Sequence, residues 1–157
     1  MPTNFNPIYL ITPSIAKNLM RIEAAKQAKT EEAWKGAAKR KEPAWCYYNN
    51  DAANGTTYGK LYNGYALLGI HDADPSTPNK ILAPQGWHVP SESEWTTLYT
   101  FLGGTAVAGG KMKSTGTSLW LSPNTGATNS SGFTGLPGGS RINFSGAFQS
   151  VGLISFW

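Results

Sequence analysis

Glycine is concentrated in one part of the sequence, and this distribution restricts the fold more than any other feature. Only Gly36 precedes Pro43, and the other 17 of the 18 glycines lie in the 115 residues from 43 to 157, together with many Asn, Thr and aromatic residues. Glycine and proline interrupt helices, whereas large aromatic side chains fill irregular cores. We therefore expect short extended segments, turns and long loops here, which argues against an all-α fold.

Charged residues are few and unevenly placed. They make up 14% of the 157 residues, against roughly 25% in an average soluble domain. Residues 1–42 contain eight Lys or Arg and four Asp or Glu, whereas residues 43–157 contain five of each. The excess of positive charge falls at helical spacing, which is typical of a solvated helix face. Because the glycine-rich part is neutral, the sequence predicts no nucleic-acid partner.

The sequence also predicts no membrane span, secretion signal or cofactor. No run of about 18 apolar residues occurs, so no spanning helix is expected. Residues 1–10 lack a basic region followed by an apolar stretch and a small-residue cleavage site. Cys46 is the single cysteine, so an internal disulfide, a Cys-rich metal site and a redox pair are all excluded. We therefore predict neither a metal site nor any other cofactor.

Residues 1–29 are predicted to be a helical extension, separate from a domain that spans residues 30–157. Thr12 is suited to cap a helix and Pro13 to occupy its first position. An apolar stripe at helical spacing continues from there to about Ala28. We expect this helix not to be integral to the fold of the glycine-rich part.

Two further helices are predicted within the domain. Thr30 begins one that places Trp34 and either Ala37 or Ala38 on a single face. Ser91 and Glu94 form a Ser-x-x-Glu capping box, which predicts the start of the other. Its end is predicted at the adjacent glycines Gly103 and Gly104. The expected buried face of this second helix consists of Trp95, Leu98, Tyr99 and Leu102.

The remaining segments are predicted to be short strands and turns. Residues 45–48 are typical of a strand, and Asn54 with Gly55 is typical of a tight turn. Residues 60–68 form an apolar segment for which helix and strand both stay open. Residues 151–157 are predicted to be a terminal strand.

Several short motifs follow one another in an order that is specific to one family. They are Pro-Ala-Trp-Cys-Tyr-Tyr-Asn-Asn-Asp at 43–51, Tyr-Gly-Lys-Leu-Tyr-Asn at 58–63, Gly-Trp-His-Val-Pro at 86–90, Gly-Gly-Lys-Met-Lys at 109–113 and Leu-Pro-Gly-Gly at 136–139. In these motifs, residues 30–157 resemble the Fibrobacter succinogenes major paralogous domain, which is abundant in predicted exported proteins of Bacteroidetes and Fibrobacteres.

The resemblance implies an α+β fold of the C-type lectin-like type, with short twisted antiparallel strands, long loops and one or two helices. Part of the reason is that Trp-His-Val-Pro-Ser-Glu-Ser-Glu-Trp at 87–95 is similar to the box before a helix in sulfatase-modifying enzymes. The resemblance also implies a secreted or cell-envelope location.

Members of this family usually continue for several tens of residues beyond the end of this sequence, adding strands and a second cysteine. The resemblance therefore implies that residues 30–157 are an incomplete domain in which Cys46 has lost its partner. An unpaired apolar strand invites association. We expect self-association through the C-terminal edge at residues 151–157.

Residues 5–28 resemble the extreme N-terminus of Fic-domain proteins, ahead of their catalytic region. The Fic core needs a His-Pro-Phe motif followed by a Gly-Asn-Gly-Arg anion loop, and the sequence contains neither. AMP transfer is therefore excluded for this chain.

The sequence and the resemblance together predict a non-enzymatic binding module with no catalytic residue. Loops rich in Asn, Ser, Thr, Trp and Tyr offer hydrogen bonds and aromatic faces, which suit a carbohydrate or another cell-envelope or extracellular ligand. Trp34, Trp87 and Trp95 are assigned to the core. The candidate ligand-binding residues are Trp120, Asn124 and Asn129.

Two alternatives stay open. One is a truncated or chimeric product without autonomous function. The other is a remote relative of the sulfatase-modifying enzymes that lacks their catalytic cysteine pair, since Cys46 is the single cysteine. Similarity of fold alone does not imply activity.

Overall fold

The computed structural model describes residues 10–11, 25–69, 76, 82–83 and 87–153. Within these residues, five α-helices and two small β-sheets alternate with long loops. The expectation of a mixed α+β protein is thereby confirmed. The expectation of one or two helices in the domain is corrected, because residues 52–58, 64–67 and 105–112 are helical as well. In the described part of the chain, no helix is both long and apolar enough to span a bilayer.

The chain divides into two units that are described separately. The larger unit comprises Met1–Val89 and Gly138–Trp157, and the smaller unit comprises Pro90–Pro137. Among the described residues, the larger unit contains both sheets and three short helices, whereas the smaller unit contains two helices and a long loop.

A four-stranded sheet forms the centre of the larger unit, with strand order β1-β4-β3-β2. The pairs β1–β4 and β3–β4 are antiparallel, but β2 is parallel to β3. Parallel neighbours require a crossover connection, usually a helix. Here the first helix, α1, lies between β2 and β3 in the chain. The bounds are β1 Leu10–Ile11, β2 Lys26–Gln27, α1 Glu31–Lys39, β3 Ala44–Cys46 and β4 Lys60–Tyr62.

Strand β2 corrects the prediction of a helix that continues to Ala28. The backbone N–H of Lys26 donates to the carbonyl of Pro43 at 3.3 Å, and that of Ala28 donates to the carbonyl of Trp45 at 2.8 Å. Pairing with β3 thus overrides the helical propensity of this Ala-rich stretch. The rest of the predicted helix, residues 13–24, lies outside the described residues.

Helix α1 begins and packs as predicted. The hydroxyl of Thr30 accepts a hydrogen bond from the backbone N–H of Ala33 at 3.1 Å, which caps the helix. Trp34 and Ala37 are its buried residues, and Trp34 is completely inaccessible to solvent.

Helix α2, Ala52–Tyr58, corrects the prediction of a turn at Asn54 and Gly55. The carboxylate of Asp51 caps this helix by accepting from the backbone N–H of Ala53 at 2.8 Å. Gly55 is required for close approach rather than for a turn, because a Cβ atom there would overlap the ring of Tyr47.

For residues 60–68 the sequence allows either a helix or a strand, and the structure contains one of each. Strand β4 is followed by the short helix α3, Gly64–Leu67. Asn63 lies between them and is 1% exposed. Its Oδ1 accepts from the backbone N–H of Ala66 at 3.0 Å and from that of Ala44 at 3.1 Å. One side chain thus caps α3 and joins it to β3.

Two apolar clusters form the core of the larger unit. Side chains alternate along a strand, so Cys46 and Leu61 lie on one side of the sheet and Trp45 and Tyr62 on the other. The first cluster contains Ala28, Trp34, Ala37, Ala44, Cys46, Tyr48 and Leu61, and the second contains Ala25, Tyr62, Ala66 and Leu82.

The tryptophans assigned to the core differ in burial. Trp34 is buried as predicted, and Trp95 is half-buried. Trp87 is 71% exposed, so its assignment to the core was wrong. Its neighbour Val89, two residues further on, packs against the second cluster instead.

The last described part of the larger unit is a two-stranded antiparallel sheet of β5, Ser140–Arg141, and β6, Phe148–Gln149. The prediction of a terminal strand is wrong for residues 151–153, which form a turn. Ser150 has a φ angle of 64°, which ends the extended conformation after β6. Residues 154–157 lie outside the described part.

The smaller unit begins with the predicted capped helix, α4, Glu92–Phe101. Both halves of the capping box between Ser91 and Glu94 are present, and Gly103 and Gly104 follow the helix with φ angles of 96° and 92°. A second helix, α5, spans Thr105–Met112. The predicted buried face is less enclosed than expected: Leu102 is buried, whereas Trp95, Leu98 and Tyr99 are half-buried.

Candidate functional site

Residues 113–137, after helix α5, form a long loop without helix or strand apart from one isolated bridge between Lys113 and Gly135. Loops longer than about 12 to 15 residues that lack secondary structure are uncommon in compact domains, and they are usually functional or disordered. This loop, called the polar loop below, contains the three candidate ligand-binding residues.

Trp120 is 5% exposed, and its indole is engaged within the loop. Its Nε1–H group donates to Ser114 Oγ at 2.9 Å and to the carbonyl of Gly135 at 3.2 Å. The ammonium group of Lys113 lies 5.0 Å from the centroid of the Trp120 ring, within cation–π range. Trp120 therefore holds together the two ends of the polar loop.

The two candidate asparagines also make contacts within the loop. Asn124 Nδ2 donates to the carbonyls of Ser114 at 3.1 Å and Gly116 at 2.7 Å. Asn129 Nδ2 donates to Thr134 Oγ1 at 2.9 Å, and its Oδ1 accepts from the Thr134 N–H at 2.7 Å. Trp120 and Asn124 thus meet at Ser114, whereas Asn129 closes a separate turn.

Backbone contacts fix the polar loop on helix α5. The N–H groups of Thr128 and Ser131 donate to the carbonyls of Gly110 at 2.9 Å and Lys111 at 3.1 Å. A Cβ atom on Gly110 would overlap the carbonyl oxygen of Gly126. Gly110 of the 109–113 motif therefore allows the loop backbone to lie directly against the helix.

Three aromatic rings meet on the smaller unit. The rings of Trp95 and Tyr99 are stacked at 6.0 Å between centroids, and Phe133 meets Trp95 edge-on at 6.3 Å. Phe133 is 38% exposed, and the other two side chains are half-buried. Trp95 Nε1 is buried and has no hydrogen-bond partner among the described residues. We call Trp95, Tyr99 and Phe133 the aromatic cluster.

Sequence reasoning missed the aromatic cluster. The helical spacing of Trp95 and Tyr99 correctly placed them on one face, but it assigned that face to the core. Phe133 lies more than 30 residues further along the chain, and no local pattern connects it to helix α4.

A buried arginine joins distant segments of the larger unit. Arg141 is 1% exposed, and its guanidinium donates to the carbonyls of Ala28, Thr30 and Gly146, each at 2.9 Å. Its Cζ lies 4.4 Å from the ring centroid of Phe148. Among the described residues, no carboxylate forms an ion pair with Arg141. Carbonyl dipoles therefore stabilise its charge.

Cys46 has a free and completely buried thiol, and it belongs to the first apolar cluster of the larger unit. Burial raises the pKa of the Cys46 thiol to about 11, although the positive charge of Arg141 acts in the opposite direction. The thiolate is the nucleophilic form of cysteine, so Cys46 is protonated and unreactive at neutral pH. Within the part of the chain that the structure describes, no three His, Cys, Asp or Glu residues are grouped to hold a metal ion.

The described residues form a mixed α+β protein. One unit is built on short strands, and the other carries a long loop that its own side chains hold in place. The model of the Fibrobacter succinogenes major domain matches residues 15–157, and the chain belongs to this family. The match begins 15 residues before the predicted start of the domain at residue 30 and includes β2. No curated protein and no solved structure matches the chain.

Proposed function

We propose that this protein is a non-enzymatic binding module with a C-type lectin-like fold, and that its ligand is a carbohydrate of the cell envelope or extracellular space. The observation that supports this proposal most is the polar loop. It is long and has no regular structure, yet its own side chains hold it in one conformation.

A loop that is ordered before binding loses less conformational entropy when a ligand arrives. The contacts of Trp120, Asn124 and Asn129 provide this order in the polar loop. In the proposed function these residues shape the binding surface from within, and neighbouring exposed groups contact the ligand.

The exposed groups of the polar loop suit a ligand with many hydroxyl groups. Serine and threonine hydroxyls both donate and accept hydrogen bonds, as sugar hydroxyls do. The exposed Ser and Thr residues of the loop are Thr115, Thr117, Ser118, Ser122, Thr125, Thr128, Ser130, Ser131 and Thr134.

The test is a binding survey of the full chain against cellulose, xylan, mannan, chitin and peptidoglycan, followed by calorimetric titration with soluble fragments of any polysaccharide that is retained. We expect at least one of them to bind. The double substitution Asn124→Ala with Asn129→Ala should weaken this binding, because it removes four hydrogen bonds that fix the loop.

The matched control is Asn54→Ala, since Asn54 lies in the larger unit and donates to the carbonyl of Tyr48. This variant should bind like the wild type. A folded wild-type chain that retains none of the five polysaccharides would contradict the proposed function.

A further inference from the structure

The aromatic cluster differs from an ordinary core cluster in two respects. Helix α4 contains no fully buried residue, although it carries both Trp95 and Tyr99. Phe133 keeps more than a third of its surface exposed.

The position of Phe133 is fixed by the polar loop. Its backbone N–H donates to Ser131 Oγ at 3.2 Å, and the same hydroxyl donates to the carbonyl of Lys111 in helix α5 at 2.9 Å. On the other side, Asn129 binds both the N–H and the hydroxyl of Thr134. Phe133 is thus held between two anchored residues.

We infer that the aromatic cluster is the sugar-stacking surface of the smaller unit and takes the apolar C–H face of a neutral pyranose ring. This inference rests on the proposed function and assigns its contact residues. The rings of Trp95 and Tyr99 are inclined by 25°, whereas Phe133 stands at 65° to Trp95. Rings in two orientations offer a face and an edge to one sugar.

The chemistry of the three side chains selects a neutral ligand. All three are aromatic side chains, and aromatic faces attract C–H groups through their electron-rich surface. Thr134, exposed beside Phe133, adds a further hydroxyl at the rim.

The experiment uses the polysaccharide that binds best to the full-length wild-type chain. Phe133→Leu removes an aromatic ring but retains an apolar side chain, so we expect the chain to fold. Phe133→Leu and Tyr99→Leu should each weaken binding by about fivefold to tenfold, since stacking contacts are worth roughly one decade or less in affinity.

The matched control is Phe144→Leu, because Phe144 is 82% exposed and belongs to the larger unit. It should leave affinity unchanged. If the wild type binds but Phe133→Leu and Tyr99→Leu bind equally well, the inference is overturned and the proposed function stands. If the folded wild type binds no polysaccharide, both are overturned. Quenching or a spectral shift of tryptophan fluorescence that is lost in Phe133→Leu would support the inference independently of affinity.

Discussion

At the scale of single residues, Arg141 shows how a buried charge can be accommodated without an ion pair. A guanidinium group has five N–H donors in a fixed fork and no acceptor. In this protein, the distant carbonyls of Ala28 and Thr30 and the nearby carbonyl of Gly146 accept from it. The rings of Trp34 and Phe148 cover it. The residue therefore links the start of α1 to the turn between β5 and β6.

Replacing Arg141 should destabilise the protein strongly. Arg141→Met retains much of the apolar stem but leaves three buried or partly buried carbonyls without their donor. Each unsatisfied group costs about 1 to 3 kcal/mol, so we expect a loss of at least about 3 kcal/mol in urea unfolding. The control, Arg40→Met, removes an exposed arginine that pairs with Glu42 at the surface and should leave the urea midpoint unchanged. Equal midpoints for all three proteins would contradict the structural role of Arg141.

Cys46 gives a second prediction at this scale, on the dependence of stability on pH. The pKa of the buried thiol is raised from 9.0 to about 11. Below pH 9 the thiol is protonated in both states, and its contribution to stability is fully present. Between about pH 9 and 11 the unfolded chain loses this proton while the folded chain keeps it, so stability falls by about 1.4 kcal/mol per pH unit.

The measurement compares the thermal stability of the wild type and Cys46→Ala from pH 7 to pH 10. The variant should lose less stability between pH 9 and 10 than the wild type. Burial also raises the pKa of Tyr62, to about 12, so Tyr62 affects both proteins, mainly above pH 10. Parallel pH profiles for the two proteins would show that the folded state does not shift the pKa of Cys46.

At the scale of secondary-structure elements, the two helices with local start signals could be predicted from sequence, and strand β2 could not. Thr30 and Ser91 each cap a helix through a hydrogen bond to a residue three positions away, so the signal is local. Strand β2 has only two residues, and it is stabilised by Pro43 and Trp45, which lie well beyond it. A two-residue strand shows no periodicity, and its Ala-rich surroundings favour a helix.

The candidate site, too, could be predicted from the sequence only in part. The composition of residues 114–131 predicts a loop there, since Gly, Ser, Thr and Asn dominate this segment. The burial of Trp120 and the meeting of Phe133 with Trp95 depend on contacts between residues 15 to 38 positions apart. Composition gives no information about which aromatic ring of a loop faces inwards.

Adjacent glycines in helix α5 provide a prediction at this scale with a built-in control. An added Cβ atom at Gly109 has no atom within 4 Å, whereas at Gly110 it would overlap the backbone of Gly126. Gly109→Ala should therefore stabilise the protein by roughly 0.5 to 1 kcal/mol, because alanine favours a helix more than glycine does. Gly110→Ala should destabilise it despite the same gain in propensity, because the polar loop must move. Thermal unfolding of both variants checks this, and stabilisation by both would mean that the loop does not lie against the helix.

At the scale of the whole molecule, the sequence and the structure give different answers on whether the first 28 residues belong to the domain. The sequence predicts a separate extension up to residue 29, a prediction that only deletion tests directly. In the structure, β1 pairs with β4, and β2 pairs with β3, so both outer strands of the main sheet come from this segment. The side chains of Ala25 and Ala28 are buried in the two core clusters.

Deletion of residues 1–28 should therefore destabilise the larger unit. The shortened chain loses two of four strands in the sheet, leaves both edges of the β3–β4 pair open, and removes the Ala28 carbonyl that accepts from Arg141. A pair of three-residue strands without further partners is marginal in water. We expect amide protection to fall in β3 and β4, which hydrogen exchange of both chains at equal concentration will show. The capped helix α4 serves as the internal reference, because its helical and capping backbone hydrogen bonds lie within residues 91–104. Unchanged protection in β3 and β4 would mean that the remaining strands suffice, and residues 1–28 would then be an extension as the sequence predicts.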